Sequence, residues 1–290
     1  MPVTGKTKLV GLFGYPVKHT ASPAFHNAAF EALELDWIYL PLEVRPDQLR
    51  QAVEGITALG FVGVNCTIPH KQAVMEFMDE ISEEAEMIGA VNTVHITDKG
   101  LKGYNTDGIG FIRSLRELEP SGVNGKRLFL MGAGGAGRAI AVQSVIENAS
   151  AVMICDKDEE RAKELEKHIG SKIGRKSTEF VPFDDKGIAE AAKSADIFVD
   201  ATPLGMHEGD PVSIDAEWLR SGTLVMDLVY KPAETSLLKA AADQGCRTLN
   251  GLGMLLYQGA KSFEIWTGID APIDAMRPAL ENAVYGPKSS

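Results

Sequence analysis

Gly132-Ala133-Gly134-Gly135-Ala136-Gly137 stands directly after the apolar run Leu128–Met131 and directly before a segment rich in Ala and Ile. A strand that passes through a G-x-G-x-x-G turn into a helix leaves few choices for what surrounds it. The glycines allow a tight turn, close backbone approach to a pyrophosphate and close packing of helix on strand, while the helix N-terminus offers unpaired N–H groups to an anion. The string alone also serves as a packing turn in any α/β protein. Asp156 adds weight: it lies at the end of the next strand, about 20 residues past Gly137, where a carboxylate accepts hydrogen bonds from ribose hydroxyls. Such a carboxylate repels a 2′-phosphate, so NAD is expected over NADP, although Lys157 and Arg161 leave room for the phosphate of NADP. The alternative for Asp156 is a side chain that only solvates a strand end.

The pattern around this turn is that of a doubly wound series. Arg127–Met131 reads as a strand, Gly135–Glu147 as a helix, Ala151–Cys155 as a strand and Asp158–Ile169 as a helix, with further strands at Asp196–Ala201 and Thr223–Leu228. Upstream, Leu9–Phe13, Trp37–Leu42, Phe61–Cys66 and Val91–Ile96 read as strands alternating with amphipathic helices, which predicts a second α/β layer with a mostly parallel sheet. Glu119-Pro120-Ser121-Gly122 interrupts both periodicities. The expected organisation is two α/β domains with a cleft between them. One is a substrate-binding and catalytic domain over 1–106, completed by C-terminal helices in 253–290; the other is a Rossmann NAD(P)-binding domain over 107–252.

Bulk properties exclude several classes. With 290 residues, 44% of them hydrophobic and 24% charged, the chain has the composition of a folded protein. A formal charge of −11 opposes nucleic-acid binding, which needs a surplus of Lys and Arg to displace counterions. Cys66, Cys155 and Cys246 are widely spaced and odd in number, arguing against a disulfide framework. His19, His26, His70, His95, His168 and His207 make no ligand-spaced pair with each other or with cysteine, so no metal is expected. His70 reads as helix surface or cleft lining. No run is long and apolar enough to span a bilayer and no signal sequence is evident, so a cytoplasmic protein without membrane partners is expected.

Three further segments put polar residues at strand-to-helix junctions, where α/β sheets gather ligands. In Lys18–Pro23, Thr20 and Ser22 stand two apart; in an extended turn their hydroxyls point the same way and suit a carboxylate. Ser22 ahead of Pro23 equally reads as a helix cap. Asn65–Lys71 runs from a strand into a Pro-initiated helix with Lys71 in its first turn, a position helix dipoles disfavour for a cation; a solvated surface lysine is the plain alternative. Ala90–Thr93 and Tyr104–Gly108 form a strand pair leading to Asp107 at a helix start, which also reads as a capped turn.

Taken in order along nearly the whole chain, these segments resemble the shikimate dehydrogenase family. The residues that carry the resemblance are Gly14-Tyr15-Pro16 with Ser22-Pro23, Asn65–Lys71, Ala90–Thr93, Asn105–Gly108, Gly132–Arg138, and Asn250–Met254 through Gln258. The resemblance implies that Lys71 and Asp107 form the catalytic pair and that Thr20, Ser22, Thr67, Asn92, Tyr230 and Gln258 hold the substrate. It places Gly132–Gly137 and the turn at Asp156 in the cofactor site, with Thr202, Leu228, Gly251 and Met254 near the nicotinamide. Two departures stand out. Cys155-Asp156-Lys157-Asp158 replaces the basic Asn-Arg-Thr of NADP-preferring relatives, which again favours NAD. Thr20-Ala21-Ser22 replaces Ser-x-Ser and puts the preference between shikimate and the bulkier quinate in doubt.

The implied activity is reversible NAD(P)-dependent reduction of 3-dehydroshikimate to shikimate, a step toward chorismate and the aromatic amino acids. Hydride delivery to a ring ketone builds negative charge on its oxygen, so a proton donor is required there, and Lys71 is the candidate. The rivals are a dual quinate/shikimate dehydrogenase using NAD, and a dinucleotide-binding regulator without catalysis, against which the presence of both Lys71 and Asp107 weighs. A monomer or homodimer is expected.

Overall fold

The computed structural model describes residues 3–174, 177–207 and 209–287. The last three residues of the expected 253–290 segment lie outside this set. The chain divides into two compact units: one runs to Thr106 and resumes at Leu256, and the other is Asp107–Leu255.

In chain order the first unit contains β1 (Lys8–Gly14), α1 (Ser22–Ala32), β2 (Trp37–Glu43), α2 (Leu49–Ala58), β3 (Gly63–Cys66) and α3 (His70–Ala73). β4 (Glu80–Ile81), α4 (Glu83–Ile88), β5 (Thr93–Thr97) and β6 (Gly100–Tyr104) follow. The second unit contains α5 (Asp107–Leu115), β7 (Arg127–Met131), α6 (Gly135–Ile146), β8 (Ala151–Cys155), α7 (Glu159–Ile173), β9 (Thr178–Phe180) and α8 (Asp185–Ser194). It continues through β10 (Ile197–Asp200), β11 (Leu224–Asp227), α9 (Ser236–Asp243) and β12 (Arg247–Asn250). The division between units falls within α10 (Leu252–Thr267), and α11 (Ile273–Tyr285) packs on α1 in the first unit.

The second unit is a parallel six-stranded sheet in the order β12-β11-β10-β7-β8-β9. That is the doubly wound order, with its switch point between β7 and β10, where ligands of such sheets bind. Its central strands are continuous apolar runs because helices cover both faces: Leu128–Met131, Ala151–Cys155 and Leu224–Met226 are all buried. α7 shows how the sequence delimits a helix. The Asp158 side chain accepts from the Arg161 N–H, Glu159 and Glu160 complement the dipole in the first turn, and Gly174 closes the end at φ +70°. Ala162, Leu165 and Ile169 form its buried stripe.

In the first unit the sheet order is β2-β1-β3-β5-β6-β4. β1 pairs with β2 and β3 in parallel, as β4 does with β6, whereas β3/β5 and β5/β6 are antiparallel, so the mostly parallel sheet that was expected carries an antiparallel hairpin. The cause is local. Only Asp98 and Lys99 separate β5 from β6, and Gly100 sits at φ +112°; so short a connection reverses the chain instead of crossing over. One face of this sheet packs Phe13, Val53, Ile56, Val64 and Val94. An aromatic group forms round His26, whose ring stacks on Tyr39 at 4.3 Å between centroids and lies near Phe25 and Trp266. Burial lowers the pKa of His26 to about 3, so the imidazole is neutral.

Candidate active site

The glycine turn of the second unit has two kinds of glycine. Gly132 adopts φ +100°, and a Cβ on it would lie 2.9 Å from the Ala201 carbonyl carbon. A Cβ on Gly137 would drive into the Gly132 carbonyl oxygen. Both are therefore demanded by packing of helix on strand. At Gly134 and Gly135, by contrast, a Cβ would meet nothing within 4 Å. Gly134 caps α6 without a side-chain hydrogen bond, so the first N–H groups of a twelve-residue helix face open space. This cradle fits a pyrophosphate: it offers positive dipole and backbone donors with no side chain in the way. Ala133 and Ala136 keep the turn equally lean.

Other expected cofactor residues gather at the same ends of neighbouring strands. The Thr202 N–H donates to Asp200 Oδ1 at 2.8 Å after β10. The Leu228 N–H donates to the Asp200 carbonyl at 2.9 Å after β11, and a Cβ on Gly251 would collide with the Leu228 carbonyl. Met254 is buried on α10, and Tyr230, half-buried past β11, has its hydroxyl pKa raised by burial. Asp107 opens α5 and is itself buried. Beside it Gly108 lets α5 approach α6, since a Cβ there would lie 2.7 Å from that of Gln143.

Asp156 is held differently from expectation. Its Oδ2 accepts from the Ala133 N–H at 2.7 Å and its Oδ1 from the Asp158 N–H at 2.9 Å, and only 6% of the residue is exposed. The carboxylate ties the glycine turn to the end of β8, and its lone pairs toward both donors are committed. Arg161 Nη1 lies 3.5 Å from Asp156 Oδ2 with half its side chain exposed, and Lys157 is exposed beside it. The local charge facing solvent is thus as much cationic as anionic.

In the first unit the expected substrate residues sit at the ends of β1, β3 and β5. α1 begins at Ser22, with Ala21 as its cap residue in a helical conformation; Ser22 is therefore not the cap, and the Thr20–Ser22 segment is not extended. Thr20 Oγ1 instead accepts from the Ser22 N–H at 3.2 Å, while the Ser22 hydroxyl meets that of Tyr39. The Thr67 N–H donates to the Phe13 carbonyl at 2.8 Å, and Gly14 makes space for its methyl group. Lys71 lies on the four-residue α3, and its carbonyl accepts from the Val91 N–H at 2.8 Å, fastening it next to the Asn92 segment. So short a helix has little dipole, which removes the expected penalty on a cation there. The Lys71 ammonium lowers the Cys66 thiol against a larger upward push from burial, leaving it at about 12. His70 is neither surface nor lining: it is buried, with Nε2 at 2.7 Å from the Val44 carbonyl oxygen.

Beneath these residues lies a buried polar network that the sequence did not announce. Asn65 Oδ1 accepts from the Tyr39 hydroxyl at 2.8 Å, while its Nδ2 faces the Asn92 carbonyl, Thr93 Oγ1 and Ser262 Oγ at 3.1, 3.0 and 2.9 Å. Asn92 Oδ1 accepts from the Thr106 N–H at 2.8 Å and from the Thr93 hydroxyl at 2.9 Å. Ser22, Asn92 and Gln258 are thereby joined through Tyr39, Asn65, Thr93 and Ser262. Two clues were present: Asn65 and Thr93 put polar side chains at fully buried positions of β3 and β5, and Ser262 follows Gln258 by one helical turn.

A doubly wound sheet opened by this glycine turn, in a chain with a second α/β unit carrying a polar network, defines a dinucleotide-binding enzyme fold. A family model described as the shikimate dehydrogenase substrate binding domain matches residues 12–94, and one described as the shikimate 5′-dehydrogenase C-terminal domain matches residues 251–281. A shikimate dehydrogenase (NADP(+)) of Desulforamulus reducens is 46% identical over 284 residues, covering 97% of each chain. One from Methanopyrus kandleri, also named for NADP(+), is 44% identical and covers 96% of each. A crystal structure of a shikimate dehydrogenase in complex with NADP+ superposes with a TM-score of 0.91 at 41% identity, covering 98% of each chain. One from Listeria monocytogenes, in complex with shikimate and NAD, gives 0.89 at 38% identity, covering 96% of this chain and 97% of its own. The chain belongs to the shikimate dehydrogenase family.

The expected preference for NAD is overturned. Relatives alike over nearly the whole chain are named for NADP(+), and the structure of highest TM-score among those compared holds NADP+. The physical error lay in reading Asp156 as a free ribose acceptor; its carboxylate is spent on backbone N–H groups, with a guanidinium beside it.

Proposed function

We propose that the protein reduces 3-dehydroshikimate to shikimate reversibly with NADP(H). The observation that carries this reading is the glycine cradle at the head of α6, open at Gly134 and Gly135, in a chain alike over 97% of its length to a shikimate dehydrogenase (NADP(+)). When bound, the nicotinamide supplies or removes the hydride. The N–H groups at the start of α6 hold the pyrophosphate, and Arg161 with Lys157 receives the 2′-phosphate. Thr202, Leu228, Gly251 and Met254 line the nicotinamide end.

Thr20 and Ser22 offer hydroxyl donors to the carboxylate of the ring acid, while Thr67, Asn92, Tyr230 and Gln258 meet its ring hydroxyls. As hydride reaches the ketone carbon, Lys71 Nζ delivers a proton to the oxygen; in the reverse direction it takes that proton back. Asp107, a buried carboxylate at the start of α5, is the second member of the catalytic pair. Lys71→Ala is expected to lower kcat by about 10²–10⁴, with a smaller change in KM. Initial velocities for wild type and Lys71→Ala, with shikimate or quinate against NADP or NAD, test the whole reading. Rates highest with shikimate and NADP support it; absence of turnover in every combination returns the protein to the class of dinucleotide-binding regulators.

A further inference from the structure

Ser262 is fully buried on α10, one turn beyond Gln258, and four polar groups converge on its hydroxyl. It donates to the Gln258 carbonyl at 3.1 Å, receives Asn65 Nδ2 at 2.9 Å, and lies 2.8 Å from Thr93 Oγ1 and 3.3 Å from Thr106 Oγ1. One oxygen thus ties the turn of α10 that carries Gln258 to β3, to β5 and to the residue that precedes α5. The same neighbours fix Asn92. The Thr106 backbone N–H can only donate, and it donates to Asn92 Oδ1; the amide nitrogen is therefore turned toward Thr106 Oγ1, at 2.9 Å. The asparagine is held in one of its two flips.

Resting on the reading above, we propose that Ser262 is a positioning residue for the ring acid, setting Gln258 against Asn92 so that both meet the ring hydroxyls in one register. It takes no part in moving hydride or proton. Its removal orphans nobody: Asn65 Nδ2 keeps the Asn92 carbonyl and Thr93 Oγ1, and Thr93 keeps Asn92 Oδ1. Serine and alanine differ by one small atom, so packing survives as well. What disappears is the tie between the Gln258 turn and the two strands, while Trp266 one turn on still donates to the Val94 carbonyl of β5, so the loss falls on the placement of Gln258 and not on folding.

The test compares wild type, Ser262→Ala and Ser262→Cys by steady-state kinetics and thermal unfolding. Ser262→Ala is expected to raise KM for shikimate by about fivefold, the loss expected for one hydrogen-bonding tie. kcat stays within about twofold, KM for NADP and the pH profile of kcat are unchanged, and the thermal midpoint hardly moves. Ser262→Cys, with its weak donor and acceptor, recovers part of the loss. Because Thr93 works through the same contact, Ser262→Ala combined with Thr93→Val raises KM by less than the product of the single effects. An unchanged KM for shikimate overturns the proposal, and so does a fall in kcat and the thermal midpoint together with a rise in both KM values, which marks a merely structural role. If Ser262→Ala does not fold, Ser262→Cys must show the same split between acid and cofactor. A wild type that turns over no ring acid removes the parent reading and this proposal together; an active wild type matched by Ser262→Ala removes this proposal alone.

Discussion

The two units build their binding surfaces from different material. The second uses backbone: N–H groups at the head of α6, a glycine turn made lean by packing, and a carboxylate, Asp156, spent on fastening that turn. The first uses side chains: Tyr39, Asn65, Asn92, Thr93 and Ser262 hold one another in a buried network. A backbone surface tolerates few residue types where it is made, since only glycine permits the geometry. A side-chain network asks for particular donors and acceptors but leaves the backbone ordinary.

The sharpest way to break this contrast is to add one methyl group. Gly137→Ala forces a Cβ against the Gly132 carbonyl, so it should cost about 3 kcal/mol in stability and, by displacing the turn, raise KM for NADP at least about 100-fold. Gly134→Ala, with open space around its new Cβ, should fold normally and lose cofactor affinity alone. Denaturant unfolding and cofactor kinetics on both variants separate the two roles; equal stability losses would show that both glycines serve packing. In the first unit, Asn65→Ala leaves the buried Tyr39 hydroxyl with Ser22 alone and takes the Asn65 donor from the Asn92 carbonyl, Thr93 and Ser262, and should cost about 2–3 kcal/mol. Urea unfolding of the variant reads this directly, and a loss below that range would mean that water fills the gap.

The same contrast explains what was legible from sequence. β7 and β8 were readable to the residue because an uninterrupted apolar run between Arg127 and Gly132, or between Ser150 and Asp156, has only one way to be buried on both faces. The glycine turn was readable because its spacing is a steric requirement. Of the β5 and β6 hairpin, the strand at Val91–Ile96 and a strand pair meeting at Thr93 and Tyr104 were readable, but the body of β6 was not: a half-buried strand two residues beyond its partner gives no run long enough to stand out. Of the two readings of Ser22, that of a cap fails because Ser-Pro satisfies the capping pattern only locally, whereas the hydroxyl is claimed by Tyr39 from β2. Asp156 misled for the same reason: the residue type suited a ribose, but its partners are backbone groups invisible in a one-dimensional string. The network round Ser262 joins residues nearly 200 positions apart, and no local pattern encodes that.

A pH test probes a buried pair inside the backbone-built unit. Asp200 and Asp227 end β10 and β11 in register, both almost fully buried, and burial pushes Asp227 up to about 6. Burial raises Asp200 as well. A carboxyl whose folded pKa is raised stabilises fully below its unfolded value, and that contribution is lost as pH rises through about 6. The contribution of Asp227 should therefore be smaller at pH 8 than at pH 4.5. Asp227→Asn keeps an acceptor for the Val229 N–H and a group for the Thr235 hydroxyl, and should remove on the order of 2 kcal/mol of that loss at pH 8 while changing little at pH 4.5. Unfolding curves of equal pH dependence in both proteins would show that Asp227 is not the titrating group.

The smallest effect concerns the rim of the same unit, where side chains return to a surface made by backbone. Arg161 reaches toward Asp156 at 3.5 Å and Asp158 at 3.2 Å, yet half of its side chain remains exposed. An exposed ion pair of this kind adds little stability, so Arg161→Ala should leave the unfolding midpoint nearly unchanged. A 2′-phosphate placed there would gain a charge-assisted contact that a ribose hydroxyl does not, so the variant should lose about tenfold in kcat/KM for NADP, about 1.4 kcal/mol, and little for NAD. The effect should shrink as salt rises, because the contact is exposed and screened. Equal losses with both dinucleotides would instead mean that Arg161 acts through Asp156 on the glycine turn, and phosphate recognition would then fall to Lys157 or to the backbone.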